Sequence, residues 1–99
     1  MRGAWEITEE LEDDSVRVTL KGELDLSAWE RLEEISMQVG ETTPVLVDGS
    51  GVTFCDSTAL RFLVRLRNRT ESLTLVRPST ALRSLLDMIG LLDAFTIVE

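Results

Sequence analysis

Val45-Leu46-Val47-Asp48, followed by Gly49-Ser50-Gly51-Val52-Thr53-Phe54-Cys55-Asp56-Ser57-Thr58-Ala59-Leu60, decides how this chain is read. Three apolar residues in a row, two of them β-branched, suit a central parallel strand covered on both faces. The glycines and serine that follow read as a short polar loop. An aspartate and two hydroxyls then precede an apolar pattern at helical spacing: Leu60, Leu63 and Val64 face inward, while Arg61, Arg65 and Arg69 lie along another, solvated face. The expected helix runs from about Ser57 to Asn68. Leu73, Leu75 and Val76 supply the next strand, so the segment is a βαβ unit with parallel strands.

Working outward, Trp5 and Ile7 alternate with polar residues, and Val16, Val18 and Leu20 repeat that period of two, which predicts an antiparallel hairpin. Ser27 with Glu30 three residues on reads as a capping box. Ala28, Leu32, Ile35 and Val39 then form an apolar stripe, and Gly40 suits a left-handed helix end. Downstream, Ser79 can cap a helix bearing Leu82, Leu85, Leu86 and Ile89, Gly90 ends it, and Phe95 to Val98 form a last strand. The predicted order is β-β-α-β-α-β-α-β: a single α/β domain over residues 1–99 with a mixed sheet and covering helices.

Composition limits the chemistry. Ten Lys and Arg against eighteen Asp and Glu give a formal charge of -8, which disfavours nucleic acid and anionic membrane surfaces as partners. One cysteine and no histidine exclude an internal disulfide and histidine acid–base catalysis, and make zinc ligation implausible. No apolar run approaches a membrane span, and the acidic N-terminal region is unlike a signal peptide. The expectation is a cytoplasmic protein that does not insert into membranes. Gly49-Ser50-Gly51 lacks the lysine and spacing of a phosphate loop. Cys55, lone and flanked by Phe54 and Asp56, reads as a small core residue. No activating base accompanies Asp56, Ser57 or Cys55, so no enzyme and no cofactor is expected.

By spacing alone, Asp56, Ser57 and Thr58 form an N-cap set. A helix N-terminus is also well placed to receive a phosphate. Trp29 has no place in the stripe of its helix and could anchor a partner or pack over the hairpin, and Met37 and Met88 are open to the same two readings.

Gly22-Glu23-Leu24-Asp25-Leu26, Val45 to Asp48, Val52 to Leu60, and Leu73 to Val76 with Pro78-Ser79 occur in the order found in the STAS domain. Together they resemble, more closely, bacterial anti-sigma factor antagonists, or anti-anti-sigma factors. The resemblance covers nearly the whole chain. It implies an antagonist that binds an anti-sigma factor serine/threonine kinase and is released when Thr58, rather than Ser57, is phosphorylated, so regulating sigma-factor-dependent transcription by partner switching. A phosphatase would reverse the modification. The implied contact residues are Glu23, Asp25, Asp56, Ser57, Thr58 and Arg61, with Asp56 equally a helix cap; by its own spacing, three residues past Thr58, Arg61 is either part of the solvated face or able to contact a phosphate there. Two departures stand out. Threonine occupies position 58 where the family most often has serine, and Ala59 replaces a glycine, each adding a methyl group near the hydroxyl. The family also often has a further C-terminal helix, so one sheet face is expected to be less covered. The alternative is a STAS subunit of a membrane lipid or anion transporter complex, gripping its partner without phosphorylation.

Overall fold

The computed structural model describes residues 4–99. Strands β1 (Trp5–Glu12) and β2 (Ser15–Leu24) form the expected antiparallel hairpin. Its two-residue loop is Asp13-Asp14, with Asp13 in the left-handed region at φ 54°, a conformation that short polar side chains tolerate. A 3₁₀ turn (Leu26–Ala28) leads into α1 (Trp29–Met37), followed by β3 (Val45–Cys55), α2 (Ser57–Arg69), β4 (Leu73–Val76), α3 (Thr80–Met88), a second 3₁₀ turn (Leu92–Ala94) and β5 (Thr96–Val98). The five strands lie in sequence order, with β2 to β5 all parallel. Element order and mixed sheet are as the sequence predicts.

Because the parallel strands advance in one direction, right-handed crossovers place successive helices on the same face of the sheet. The core confirms this arrangement. Val18 and Leu20, Val45 and Val47, and Leu75, all facing one way, join Leu32 and Ile35 of α1, Phe62, Leu63 and Leu66 of α2, and Leu82 and Leu86 of α3 in a single cluster. The predicted double coverage of Val45-Leu46-Val47 is therefore corrected: Val45 and Val47 are buried in the core, whereas Leu46 is only half-buried on the other face.

That other face is organised by charge. Glu12 pairs with Arg17 at 3.4 Å, Arg17 reaches Asp48 at 3.9 Å, and Arg77 meets the same Asp48 oxygen at 3.0 Å, so alternating signs run from β1 to the end of β4. Asp48 also accepts from the backbone N–H and hydroxyl of Ser50. Burial alone would raise its pKa, but the Ser50 bonds and the Arg77 charge outweigh it and hold the carboxyl below the usual 3.8. Arg77 sits in the left-handed region at φ 43°, tied down by its N–H to the Val98 carbonyl and by the Asp48 pair.

The stretch Gly49-Ser50-Gly51 is not a loop. It lies within β3, which stays paired with β2 through Leu24 and Cys55, with register shifts between Thr19 and Lys21 and between Gly22 and Glu23. Gly49 has a packing reason for its identity: a Cβ there would lie 2.7 Å from Leu82 of α3. Its carbonyl accepts from the Ser79 N–H, while Ser79 Oγ caps α3 as expected, accepting from Leu82 N–H. Gly90 ends α3 at φ 75°, as expected, with Leu91 N–H returning to the Leu86 carbonyl. Gly40 has no left-handed conformation; the carbonyls of Met37 and Val39 accept instead from Arg69.

The bend near the end of β2 depends on Gly22. Its φ is 86°, and a Cβ there would lie 2.1 Å from the Ala4 carbonyl oxygen, the atom that accepts from Glu23 N–H at 2.8 Å. Gly22→Ala is expected to cost about 2–4 kcal/mol in unfolding free energy, measurable by urea titration. At Asp48 the lowered pKa makes the charged form stabilising. Its contribution is full above the unfolded value of 3.8, declines as pH falls below it and vanishes beneath the folded pKa. Asp48→Asn should therefore be less stable than the parent at pH 7, with the gap closing as pH falls below the unfolded value of 3.8, in paired melts.

Candidate functional site

The parallel pairing of β2 with β3 ends at Leu24 opposite Cys55, and the Asp56 N–H continues toward the Leu24 carbonyl at 3.4 Å. Asp25 and Asp56 consequently leave neighbouring strands at the same level, at the carboxyl ends where open α/β sheets present their binding residues. Their backbones are nearly the same: φ -114° and ψ -168° at Asp25, φ -125° and ψ -159° at Asp56. Each caps the segment that follows. Asp25 Oδ1 accepts from Ser27 N–H at 3.0 Å, and Asp56 Oδ1 accepts from Thr58 N–H at 2.8 Å. The Ser27–Glu30 capping box is thus corrected. Asp25 is the cap, Ser27 lends it a hydroxyl bond, and Ser27 Oγ accepts from the Trp5 indole N–H at 3.0 Å, fastening the turn to β1.

Those two Ser27 bonds, hydroxyl first and then backbone, hold the Asp25 carboxyl below its ordinary pKa, so this edge of the molecule stays negative at neutral pH. Glu23 is exposed and lies opposite Phe54 in the β2–β3 register. In the first turn of α2, Ser57 is exposed whereas Thr58 retains only 6% of its accessible surface. Burial, with the Asp56 carboxylate next to it, raises the Cys55 pKa, and the half-buried residue packs against the core as expected. Its thiol is protonated at neutral pH, which is unsuited to nucleophilic attack.

Two residues of this edge were not singled out from the sequence as contacts. Leu26 is 71% exposed and Phe54 49% exposed, each beside a candidate acidic residue. The available signals were modest: Leu26 falls outside the Ala28–Leu32–Ile35 stripe, and Phe54 follows Val52, which is buried, at an interval where one strand face should continue inward. The register shifts of β3 disturb that alternation.

The arginines of α2 also depart from expectation. They do not form a purely solvated face: Arg61 and Arg65 place their guanidinium carbons 4.5 and 5.2 Å from the Trp29 ring centroid, Arg65 pairs with Glu33 at 3.2 Å, and Arg69 binds the end of α1. Trp29 is accordingly half-buried under α2. Arg61, expected near a phosphate, lies one turn beyond Thr58 but is stacked on the indole.

Among the described residues no cluster of His, Cys, Asp or Glu could hold a metal ion, and no helix is long and apolar enough to cross a membrane. A cleft of about 540 Å³, lined by Arg67, Thr70, Leu73 and Phe95 among others, lies at the opposite end of the parallel strands. Residues 7–99 match the family model described as "Mlab, STAS domain". The chain belongs to this STAS-domain family. Similar folds are seen among solved structures. An anti-sigma factor antagonist from Mycobacterium paratuberculosis is 20% identical, with 94% of this chain and 84% of that chain covered and a TM-score of 0.76. The anti-sigma factor antagonist SpoIIAA in its unphosphorylated form is 22% identical, with 95% and 89% covered and a TM-score of 0.73. At these identities the likeness concerns the fold. No curated protein sequence matches significantly.

For this STAS domain the capping roles of the two aspartates are separable from any contact they make. Asp56→Ala should lower stability by about 1 kcal/mol through loss of the cap, and Asp56→Ser should recover most of that loss. Thermal melts of the two variants check this.

Proposed function

We propose that this STAS domain is an anti-sigma factor antagonist: a non-enzymatic binding module that sequesters an anti-sigma factor kinase in the cytoplasm and is released when Thr58 is phosphorylated. The observation that carries the reading is the edge where Asp25 and Asp56 emerge side by side, with exposed Leu26 and Phe54 among Glu23, Asp25 and Ser57. Apolar anchors with a charged rim are the make-up of a protein-docking surface. The similarity to two solved anti-sigma factor antagonists supports the same role.

The partner would present a basic rim with an apolar recess. ATP bound to that partner is the phosphoryl donor, so the domain itself needs no cofactor, and a phosphatase returns it to the binding form. Because Thr58 is largely buried, its hydroxyl reaches a kinase when the first turn of α2 opens. End turns open readily, and phosphorylation is correspondingly slower than at a fully exposed hydroxyl. Once added, a charge of about -1.5 to -2 is compatible with the helix N-terminus, but against a partner surface packed on a neutral hydroxyl it brings bulk and a desolvation cost that loosen the complex. The second reading, a STAS subunit of a lipid or anion transporter complex, gains from the same burial of Thr58, since it needs no modification there.

The test uses the full chain and an anti-sigma factor kinase from a neighbouring gene. Glu23→Lys and Phe54→Ala should each weaken binding about tenfold or more with nearly unchanged melting temperatures. Thr58→Glu should weaken it by about 1–3 kcal/mol, and mass spectrometry after incubation with ATP should place phosphate on Thr58. Binding that survives Thr58→Glu, with no phosphate on either Ser57 or Thr58, would overturn the switch, and no binding to the kinase at all would favour the transporter reading instead.

A further inference from the structure

Arg61 differs from the other arginines that pack between α1 and α2. Arg65 has Glu33 and Arg69 has two backbone carbonyls. Among the described residues Arg61 has no salt bridge; its guanidinium lies over the Trp29 ring, 4.5 Å from the centroid. That ring also carries Arg65 at 5.2 Å, so the indole holds two positive groups.

We propose that Arg61 is the reader of a phosphate on the first turn of α2, and that it carries the modification to α1 by leaving the Trp29 ring. This rests on the reading of Thr58 as the modified residue. Arg61 lies three residues after Thr58 and four after Ser57, the two separations that put side chains on one helix face. A half-exposed cation–π contact is a weak hold, whereas an arginine–phosphate contact is charge-assisted, bidentate and stronger. Competition therefore favours the phosphate. The departure of Arg61 also relieves Trp29 of one of two like charges.

The consequence reaches the second half of the docking edge. Trp29 is the first residue of α1 and follows the Leu26–Ala28 turn whose cap is Asp25. An altered indole contact thus acts on the segment bearing Leu26, in addition to the local charge at α2. One modification is felt on both neighbouring strand ends.

Cys55 lies just ahead of the site and permits assembly of the full chain by ligation at Phe54–Cys55, joining recombinant residues 1–54 to a synthetic segment 55–99 with phosphothreonine at position 58. The phosphate is then present whether or not any kinase accepts the protein. Labelling residues 1–54 with 5-fluorotryptophan gives two ¹⁹F resonances, Trp29 and Trp5, assigned with Trp5→Phe. Phosphothreonine should shift the Trp29 signal strongly and the Trp5 signal, whose indole donates to Ser27 of the adjoining turn, to a smaller extent. Arg61→Gln should move Trp29 without phosphate and abolish most of the phosphate-dependent shift, while Arg61→Lys, which keeps the charge but not the planar fork, should retain a smaller one. Circular dichroism confirms folding of each. A Trp29 signal unmoved by phosphate, or moved equally with Arg61→Gln, overturns the proposal. Failure of the kinase to modify Thr58 would instead count against the function proposed above and leaves this measurement intact.

Discussion

The long parallel pairing of β2 with β3 is the constraint on which the rest of the site depends. It carries both strands past the level where β4 ends, since Val76 is paired with Asp48 while β3 continues to Cys55. The extension requires β2 to bend, and Gly22 accepts that bend against the Ala4 carbonyl where a Cβ has no room. Once the strands end together, each aspartate meets the same local problem of unpaired N–H groups at the start of a helical segment. Each solves it with the same geometry. The resulting pair of caps is a product of strand register, and the apolar residues beside them are lifted clear of the core by the same extension.

The sheet achieves stability asymmetrically. Three helices cover one face and bury a continuous apolar cluster, while the other face relies on a row of charges centred on Asp48. A nearly buried carboxylate between two arginines would be costly without further bonds, and Ser50 supplies them from within the same strand. This explains why Asp48 follows an apolar run: it marks the place where β3 keeps its pairing but changes what its outward face contacts.

Local signals in the sequence were sufficient for the order of elements. The alternation in Trp5-Glu6-Ile7, the Ser79 cap, the Leu82–Leu86 spacing and the turn at Gly90 all depend on neighbours a few residues away, and all are present in the structure. What was misread depends on distant partners. Gly49-Ser50-Gly51 has loop composition, yet β2 supplies a pairing partner and Leu82 needs the space above Gly49. Ser27 has the better cap spacing, yet the earlier Asp25 takes that role because β2 ends there. Arg61, Arg65 and Arg69 have the period of a solvated face, and only the position of α1 turns that face into a contact. Within the candidate site, the sequence named the polar residues. Their common level, the burial of Thr58 beside exposed Ser57, and the prominence of Leu26 and Phe54 follow from the β2–β3 register.

The hairpin that begins the domain has a further consequence for contacts between copies of it. Strand β1 forms one border of the sheet, and it bears Glu6, Glu9, Glu10 and Glu12. A second copy approaching that border would bring the same row of negative charge with it, and the opposite border, β5, has only three residues to offer. Backbone hydrogen-bonding capacity is thus exposed at both margins without inviting strand exchange or fibril growth. Strand addition between copies is thus disfavoured by electrostatics at one border and by brevity at the other.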